Sequence, residues 1–434
     1  MRTMSKLILT TLLLGLLMVS GCSDRGSNSA PVYNGNSGEL ILNHVYFWEF
    51  MTQIKNEYQQ SFSKAWVPNV GVWGNPPNYT PDRQLPLLVL LPPQGGDQNY
   101  YFSHGLAQVA NELLSEGLIE PMVIVTLSND RTFGGYWWAG SGGGAGNYDT
   151  LIGGTMLNWI WSRALGTTSP FDTSQGMTGI GGIGEGAYGA LRAAMKHPGR
   201  FGSISAVDGP LDFDGVDGAS GLINLFDDCL REQGLLGNAN YLTEFDSSGQ
   251  YHLSRLFIGG ALAFSPHDTL VYPVVTAQAN GYRVDVPDSV RYKIQGTAGL
   301  NTAIVQVDQD DFDFHLPFDQ NGNPISEPDA PIWDLWMRNS LDKMYHAYHR
   351  SGENFNDVDL WFATAIQNDP LGYNKMTQAF IQLLRGYGYD PTVRFYDGYP
   401  GNPAVSDTYL NHLLREMLIF HSNAFKRAQN PVDE

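Results

Sequence analysis

Gly182-Ile183-Gly184-Glu185-Gly186-Ala187-Tyr188-Gly189-Ala190 decides how this 434-residue chain is read. Met177 to Gly181, just before it, is a short apolar run, and Ala187 to Met195, just after, is rich in strong helix formers. The order is strand, sharp turn, helix. His197-Pro198 closes the helix, because the residue before a proline is driven out of the α region, and Phe201 to Val207 opens another strand. In a G-x-S-x-G turn the central residue sits on a strained bend that lifts its side chain above the sheet, and small neighbours let the backbones approach. Here the central residue is Gly184. A hydrogen cannot attack a carbonyl, so the turn has the shape of a nucleophile elbow without a nucleophile. The competing readings are a flexible loop and a dinucleotide-binding glycine motif. The second is weak, since the glycines come late in the chain with no early βαβ unit or acidic ribose partner.

The run Gly186 to Ala206, GAYGALRAAMKHPGRFGSISA, resembles the segment GGYGALRLALKHPDLFGSVSA of the esterase family that includes esterase D, feruloyl esterases and mycolyltransferases. Leu88-Val89-Leu90-Leu91-Pro92-Pro93-Gln94-Gly95-Gly96-Asp97 resembles that family's oxyanion strand and loop. Glu116 to Val125 resembles its next helix end and strand, and Leu316-Pro317-Phe318-Asp319 with Ile332 to Trp336 resembles a segment of some members. The resemblance spans roughly residues 85 to 425. It implies an α/β-hydrolase-like, doubly wound, mostly parallel sheet with helices on both faces and an inserted cap region.

Carried over residue by residue, the same resemblance implies a depleted catalytic apparatus. The serine position is Gly184, the family's G-x-H reads Gly398-Tyr399-Pro400, and the acid survives as Asp369. A triad needs a nucleophile, a base to take its proton and an acid to orient the base; an orphaned acid does none of this. Pro92-Pro93 replace His-Gly in the oxyanion loop, and the backbone N–H groups of Gln94 and Glu185 are the expected donors of a hole that persists as an anion-friendly nest, partly opposed by the Glu185 carboxylate. Three functions remain open. One is a catalytically degenerate protein that binds a carbohydrate or ester-bearing ligand. Another is a carboxylic ester hydrolase that recruits Glu185 or Asp369 with His104, His315 or His412. The third is a structural lipoprotein with a sealed site.

Arg2 and Lys6 precede an apolar run from Leu7 to Val19, short for a membrane span, and Val19-Ser20-Gly21-Cys22 fits a bacterial lipobox. Residues 1–21 therefore read as a lipoprotein signal peptide, with Cys22 the lipidated residue and a membrane the partner of its lipid. Ser23 follows instead of Asp, as in lipoproteins sorted to an outer membrane. Residues 22–38, rich in Ser, Asn and Gly, read as a tether, and 39–434 as one esterase-like domain with an insertion at about 209–330. Once Cys22 carries lipid one thiol is left, Cys229, so no intramolecular disulfide forms; it lies in an amphipathic helical pattern and reads as a small buried hydrophobe. Lys and Arg total 25 against 44 Asp and Glu, which argues against nucleic acid and anionic membrane surfaces as partners.

The rhythm of the rest supports the alternation. Leu85 to Leu91 and Met122 to Leu127 read as buried strands joined by a helix over 103–115. After the insertion come a helix over 333–350, a strand over 360–366, a helix over 373–385, a strand over 393–396 and a final helix over 407–420. In such sheets ligands sit beyond the carboxyl ends of the strands, and the loops expected there are aromatic: Tyr100, Tyr101, Tyr136, Trp137 and Trp138 are the candidate ligand-binding residues. Asp308 to His315 and Asp319-Gln320-Asn321-Gly322-Asn323 invite a metal reading, but the first alternates with Val307, Phe312 and Phe314 and reads as a solvated strand or loop edge, and the second lacks the full calcium-ligand spacing and reads as an Asx turn. No metal or cofactor is expected.

Overall fold

The computed structural model describes residues 84–430 with breaks at 128–136, 140–147, 149–150, 164–170, 217–220, 246–250, 266–273, 280–281, 288–291, 296–303, 308–315, 326–331, 367–368, 370 and 398–406, together with five short strands before residue 84. Its centre is a nine-stranded sheet. In chain order the strands are β1 (Val32–Tyr33), β2 (Glu39–Ile41), β3 (Ser63–Trp66), β4 (Leu87–Leu91), β5 (Val123–Leu127), β6 (Thr178–Ile183), β7 (Ser203–Val207), β8 (Asp359–Ala365) and β9 (Thr392–Tyr396). They lie side by side in the order β1-β2-β3-β5-β4-β6-β7-β8-β9. From β5 to β9 every pairing is parallel, whereas β3 runs antiparallel to β5. The order reverses at β4, from which the chain winds first to one side and then to the other.

Alternation along the strands divides the core in two. Leu87, Val89 and Leu91 of β4 face one cluster and Leu88 and Leu90 the other, and β8 repeats this with Leu360 and Phe362 against Trp361, Ala363 and Ala365. Successive side chains of a strand point to opposite faces, so a strand apolar at every position demands cover on both. One face is covered by α1 (Leu106–Ser115) and α9 (Asp407–Gln429), through Leu106, Val109, Leu113, Leu414 and Met417. The other takes α2 (Leu157–Arg163), α3 (Glu185–Lys196), the insertion helices α4 (Leu222–Gln233) and α5 (His252–Phe264), and α6 (Ile332–Met337), α7 (Leu341–Arg350) and α8 (Tyr373–Gly386). The fold is α/β of the hydrolase type, as the elbow and the alternation imply.

Several boundaries differ from the sequence reading. The helix expected over 333–350 is two helices, because Ser340 is extended (φ −63°, ψ 132°) and its hydroxyl accepts the Phe213 amide at 3.0 Å. The final helix runs to Gln429. His421-Ser422-Asn423 looks like a polar stop, but the His421 ring is fully buried against Ser203 and Ser205. The insertion holds two regular helices and two antiparallel hairpins, Val274–Ala279 with Tyr282–Pro287 and Tyr292–Gln295 with Ile304–Val307. Residues 1–21, Cys22, and all of the tether stretch apart from β1 lie outside the described residues. No described helix is long and apolar enough to cross a membrane.

Candidate functional site

The elbow has the expected shape. β6 ends at Ile183, Gly184 turns with φ 59° and ψ −123°, and α3 begins at Glu185. Only glycine adopts this conformation without strain; another residue there costs of order 1–3 kcal/mol. The Gly184 amide donates to Val207 O at 2.9 Å and its carbonyl accepts the Ala187 amide at 3.0 Å, which fixes the turn to β7 and to the helix. Close approach explains a second glycine: a Cβ on Gly186 would stand 2.0 Å from Leu91 O, where α3 crosses the end of β4. Because Gly184 has no side chain, the N-terminus of α3 has no side-chain cap, and the Glu185 amide is one of its first-turn donors.

Carboxyl groups gather at this edge. Glu185 is buried, which pushes its carboxyl well above the usual range, and Oε1 has no hydrogen-bond partner. Burial thus favours the protonated form of this carboxyl, which weakens its opposition to an anion at the nest. Asp369 accepts the Leu371 amide at 2.9 Å and the Asn374 amide at 2.6 Å, so it caps α8; burial nevertheless raises its carboxyl. Tyr373, at the start of α8, is buried, and the neighbouring charges of Glu185 and Asp369 add to the burial that raises its hydroxyl.

Asp208, which the sequence reading passes over, belongs to the same edge. It follows β7 at φ 33°, both its oxygens accept the Ala365 amide at 3.1 Å, and Tyr396 donates its hydroxyl to it. Burial first, and Asp369 second, push it to about 7. An aspartate immediately after an apolar strand and before Gly209-Pro210 was the available signal. Among the described residues no imidazole bonds to Glu185, Asp208 or Asp369. His104 contacts Tyr100 O through Nδ1 at 2.6 Å, and His412 is exposed on α9. His315 and the Gly398-Tyr399-Pro400 segment lie outside the described residues.

Three of the five candidate ligand aromatics are core residues, contrary to expectation. Trp137 is 0 % exposed and Trp138 2 %, although both stand at positive φ. Trp137 packs edge-on against Tyr188, Phe213, Phe264 and Trp336 and donates Nε1 to Leu256 O at 3.0 Å. Trp138 donates Nε1 to Pro92 O at 3.3 Å. Phe213 and Phe264 of the insertion cover the Trp137 indole, Tyr148 packs edge-on against that of Trp138, and the backbone satisfies each N–H, so the core takes them. Tyr101 is buried too, its hydroxyl donating to Leu91 O at 2.7 Å. Tyr136 lies outside the described residues.

Tyr100 is half-buried and lines a cleft of about 360 Å³ with Gly95, Gly96, Asp97, Ser103 and Arg255. This cleft adjoins Gln94, whose side-chain amide atoms are buried without hydrogen-bond partners. Two other cavities, about 520 Å³ and 220 Å³, sit near the amino-terminal ends of β8 and β9 and beside α3's end, away from the elbow. Among the described residues no three His, Cys, Asp or Glu side chains are placed to hold a metal ion. Asp319 instead accepts the Asn321 and Asn323 amides at 2.8 and 2.9 Å, which makes the Asx turn. Cys229 is buried, and burial pushes its thiol up to about 12.

This geometry joins a strand-to-helix elbow, a glycine-rich loop after the central strand and a parallel sheet with helices on both faces. Residues 68–252 match the family model described as "Putative esterase". The match takes in the loop after β4, the elbow and β7, rather under half of the chain. Similar solved structures are a ferulic acid esterase (12 % identity, 84 % of this chain and 93 % of that one, TM-score 0.45) and the S-formylglutathione hydrolase of Agrobacterium tumefaciens (12 %, 84 % and 90 %, 0.41). The S-formylglutathione hydrolase of Staphylococcus aureus is another (12 %, 84 % and 93 %, 0.42). No curated protein matches the sequence significantly. The chain thus carries an esterase-type domain.

Proposed function

We propose that this chain is a lipid-anchored protein of the bacterial envelope, held at the outer membrane where there are two, whose esterase-type domain has lost serine hydrolysis and binds a carbohydrate or ester-bearing ligand. The observation that carries the reading is Gly184 in the elbow conformation, with φ 59° and ψ −123°. The scaffold that aims a nucleophile is intact while the atom that would attack is missing. An imidazole bonded to the carboxyl groups would favour a substitute constellation, and none is among the described residues. What remains at the edge is suited to holding a ligand: the uncapped first turn of α3, a buried Glu185 carboxyl with an unpartnered oxygen, and the cleft past Gln94. Cys22 in Val19-Ser20-Gly21-Cys22 supports the anchor.

Hydrolysis of short-chain nitrophenyl and feruloyl esters tests the loss of activity. The native protein is expected to show no turnover above buffer. Turnover abolished by Glu185→Gln or Asp369→Asn would restore the hydrolase reading. The anchor is tested by fractionating cells: the protein should sediment with membranes, and Cys22→Ala should abolish its lipidation, read as the mass of the amino-terminal peptide.

A further inference from the structure

We propose that the cleft beside the oxyanion loop binds a sugar acid, a pyranose unit carrying one carboxylate, and that Arg255 is its carboxylate anchor. This rests on the reading that this edge of the sheet holds a ligand, and it adds the ligand's chemistry. Arg255, on α5 of the insertion, lines the cleft together with Gly95, Gly96 and Asp97 of the loop that follows β4.

Cations are scarce in this chain, 25 against 44 acidic residues, and those described are commonly paired. Arg231 holds Asp227 at 2.8 Å, Arg427 holds Asp359 at 2.8 Å, and Arg394 holds Glu416 at 3.3 Å. Arg255 is half-buried and, among the described residues, has neither an ion pair nor a hydrogen bond. A partly desolvated guanidinium without a partner is unfavourable, and its planar fork matches a carboxylate with two parallel bonds. Asp97 lines the same cleft without pairing with it; its Oδ1 accepts the Asn99 amide at 2.8 Å.

The remaining lining fits a hydroxylated ring. Tyr100 is held edge-on against Tyr101, with centroids 5.2 Å apart at 87°, and tilted against His104 at 4.6 Å, so its position is set before a ligand arrives. Aromatic rings so held stack on the apolar faces of sugars. Ser103 donates its hydroxyl to Tyr100 O at 2.8 Å, which leaves its oxygen to accept from a sugar hydroxyl. The Asp97 carboxylate lines the same cleft. That carboxylate also sets an upper limit on ligand charge: a second negative charge, as on a phosphate, would meet Asp97. At about 360 Å³ the cleft falls at the small end of ligand sites, which suits one monosaccharide unit.

Calorimetric titration of the full-length protein in detergent with methyl glucuronoside, methyl galacturonoside and their neutral counterparts, methyl glucoside and methyl galactoside, tests this. An acid should bind roughly ten- to a hundred-fold more tightly than its neutral counterpart, as a charge-assisted bond implies. Arg255→Gln should bring the acid down to the neutral level, Arg255→Lys should fall between, and Tyr100→Ala should weaken both sugars. Unchanged melting temperatures show that the variants fold. Equal binding of acid and neutral sugars, insensitive to Arg255→Gln, overturns the proposal and leaves ligand binding at this edge standing. Binding of no sugar, when a feruloyl ester does bind, has the same consequence. Binding of neither sugars nor esters overturns both readings.

Discussion

Acid should weaken this fold through His421 in particular. The ring is fully buried between α9 and the sheet, with Nδ1 2.7 Å from Ser203 Oγ and Nε2 2.8 Å from Ser205 Oγ. Both partners are hydroxyls, which a neutral imidazole satisfies, and burial depresses its pKa from 6.5 to about 3. As pH falls below 6.5 the unfolded chain takes up a proton that the folded chain refuses until about pH 3. Stability present above pH 6.5 is then lost at about 1.4 kcal/mol per pH unit, or about 2.7 kcal/mol by pH 4.5. The raised carboxyls of Glu185, Asp208 and Asp369 act in the opposite direction, since they keep protons that the unfolded chain releases. The wild-type slope is therefore a sum, and His421→Gln, which can still bond the serines but cannot titrate, isolates one term of it. Urea unfolding of both proteins, followed by tryptophan fluorescence at pH 6.5, 5.5 and 4.5, is the assay. Wild type should be the more stable at pH 6.5, where half of the unfolded imidazole is already protonated, and the gap should close by about 2.3 kcal/mol between pH 6.5 and pH 4.5. A gap constant to within about 0.5 kcal/mol would refute the reasoning.

Asp208→Asn should remove a stability loss that accompanies rising pH: with the carboxyl raised from 3.8 to about 7, the wild type loses stability as pH climbs through that window and the variant does not, a difference visible in chemical unfolding at pH 5 against pH 8. Gly186→Ala puts a Cβ 2.0 Å from Leu91 O, backbone against backbone, and should cost more than about 2 kcal/mol or prevent soluble expression, whereas Gly199→Ala, with open space around it but φ 76°, should cost only about 1 kcal/mol. Trp137→Ala should lower stability by about 3–5 kcal/mol, as loss of a fully buried indole does; a melting temperature within 2 °C of wild type, taken as roughly unchanged stability, would return that residue to the ligand side.

The sequence by itself determined the layers. Apolar runs at Leu87–Leu91 and Val123–Leu127, a glycine-dense turn before a helix-forming stretch, and the strand and helix rhythm after residue 359 are local signals, because a strand buried on both faces must be apolar at every position. The elbow at Gly184 was legible for the same reason: turn chemistry is written within five residues. Tertiary structure decided the rest. Trp137 and Trp138 sit among glycines and read as loop residues, yet α5 and β4, distant in sequence, close over them. Ser340 breaks a helix because Phe213, more than a hundred residues earlier, needs an acceptor, and His421 continues one because two serines of β7 receive it. Glu185 looks like a surface charge in one dimension, and its carboxyl is pushed up only because the sheet edge excludes water from it. Likewise nothing near Arg255 in the sequence joins it to Gly95 and Tyr100; packing of the insertion against the sheet edge brings them together. Local propensity is set by neighbours in the chain, whereas desolvation and pairing depend on what the fold brings from elsewhere.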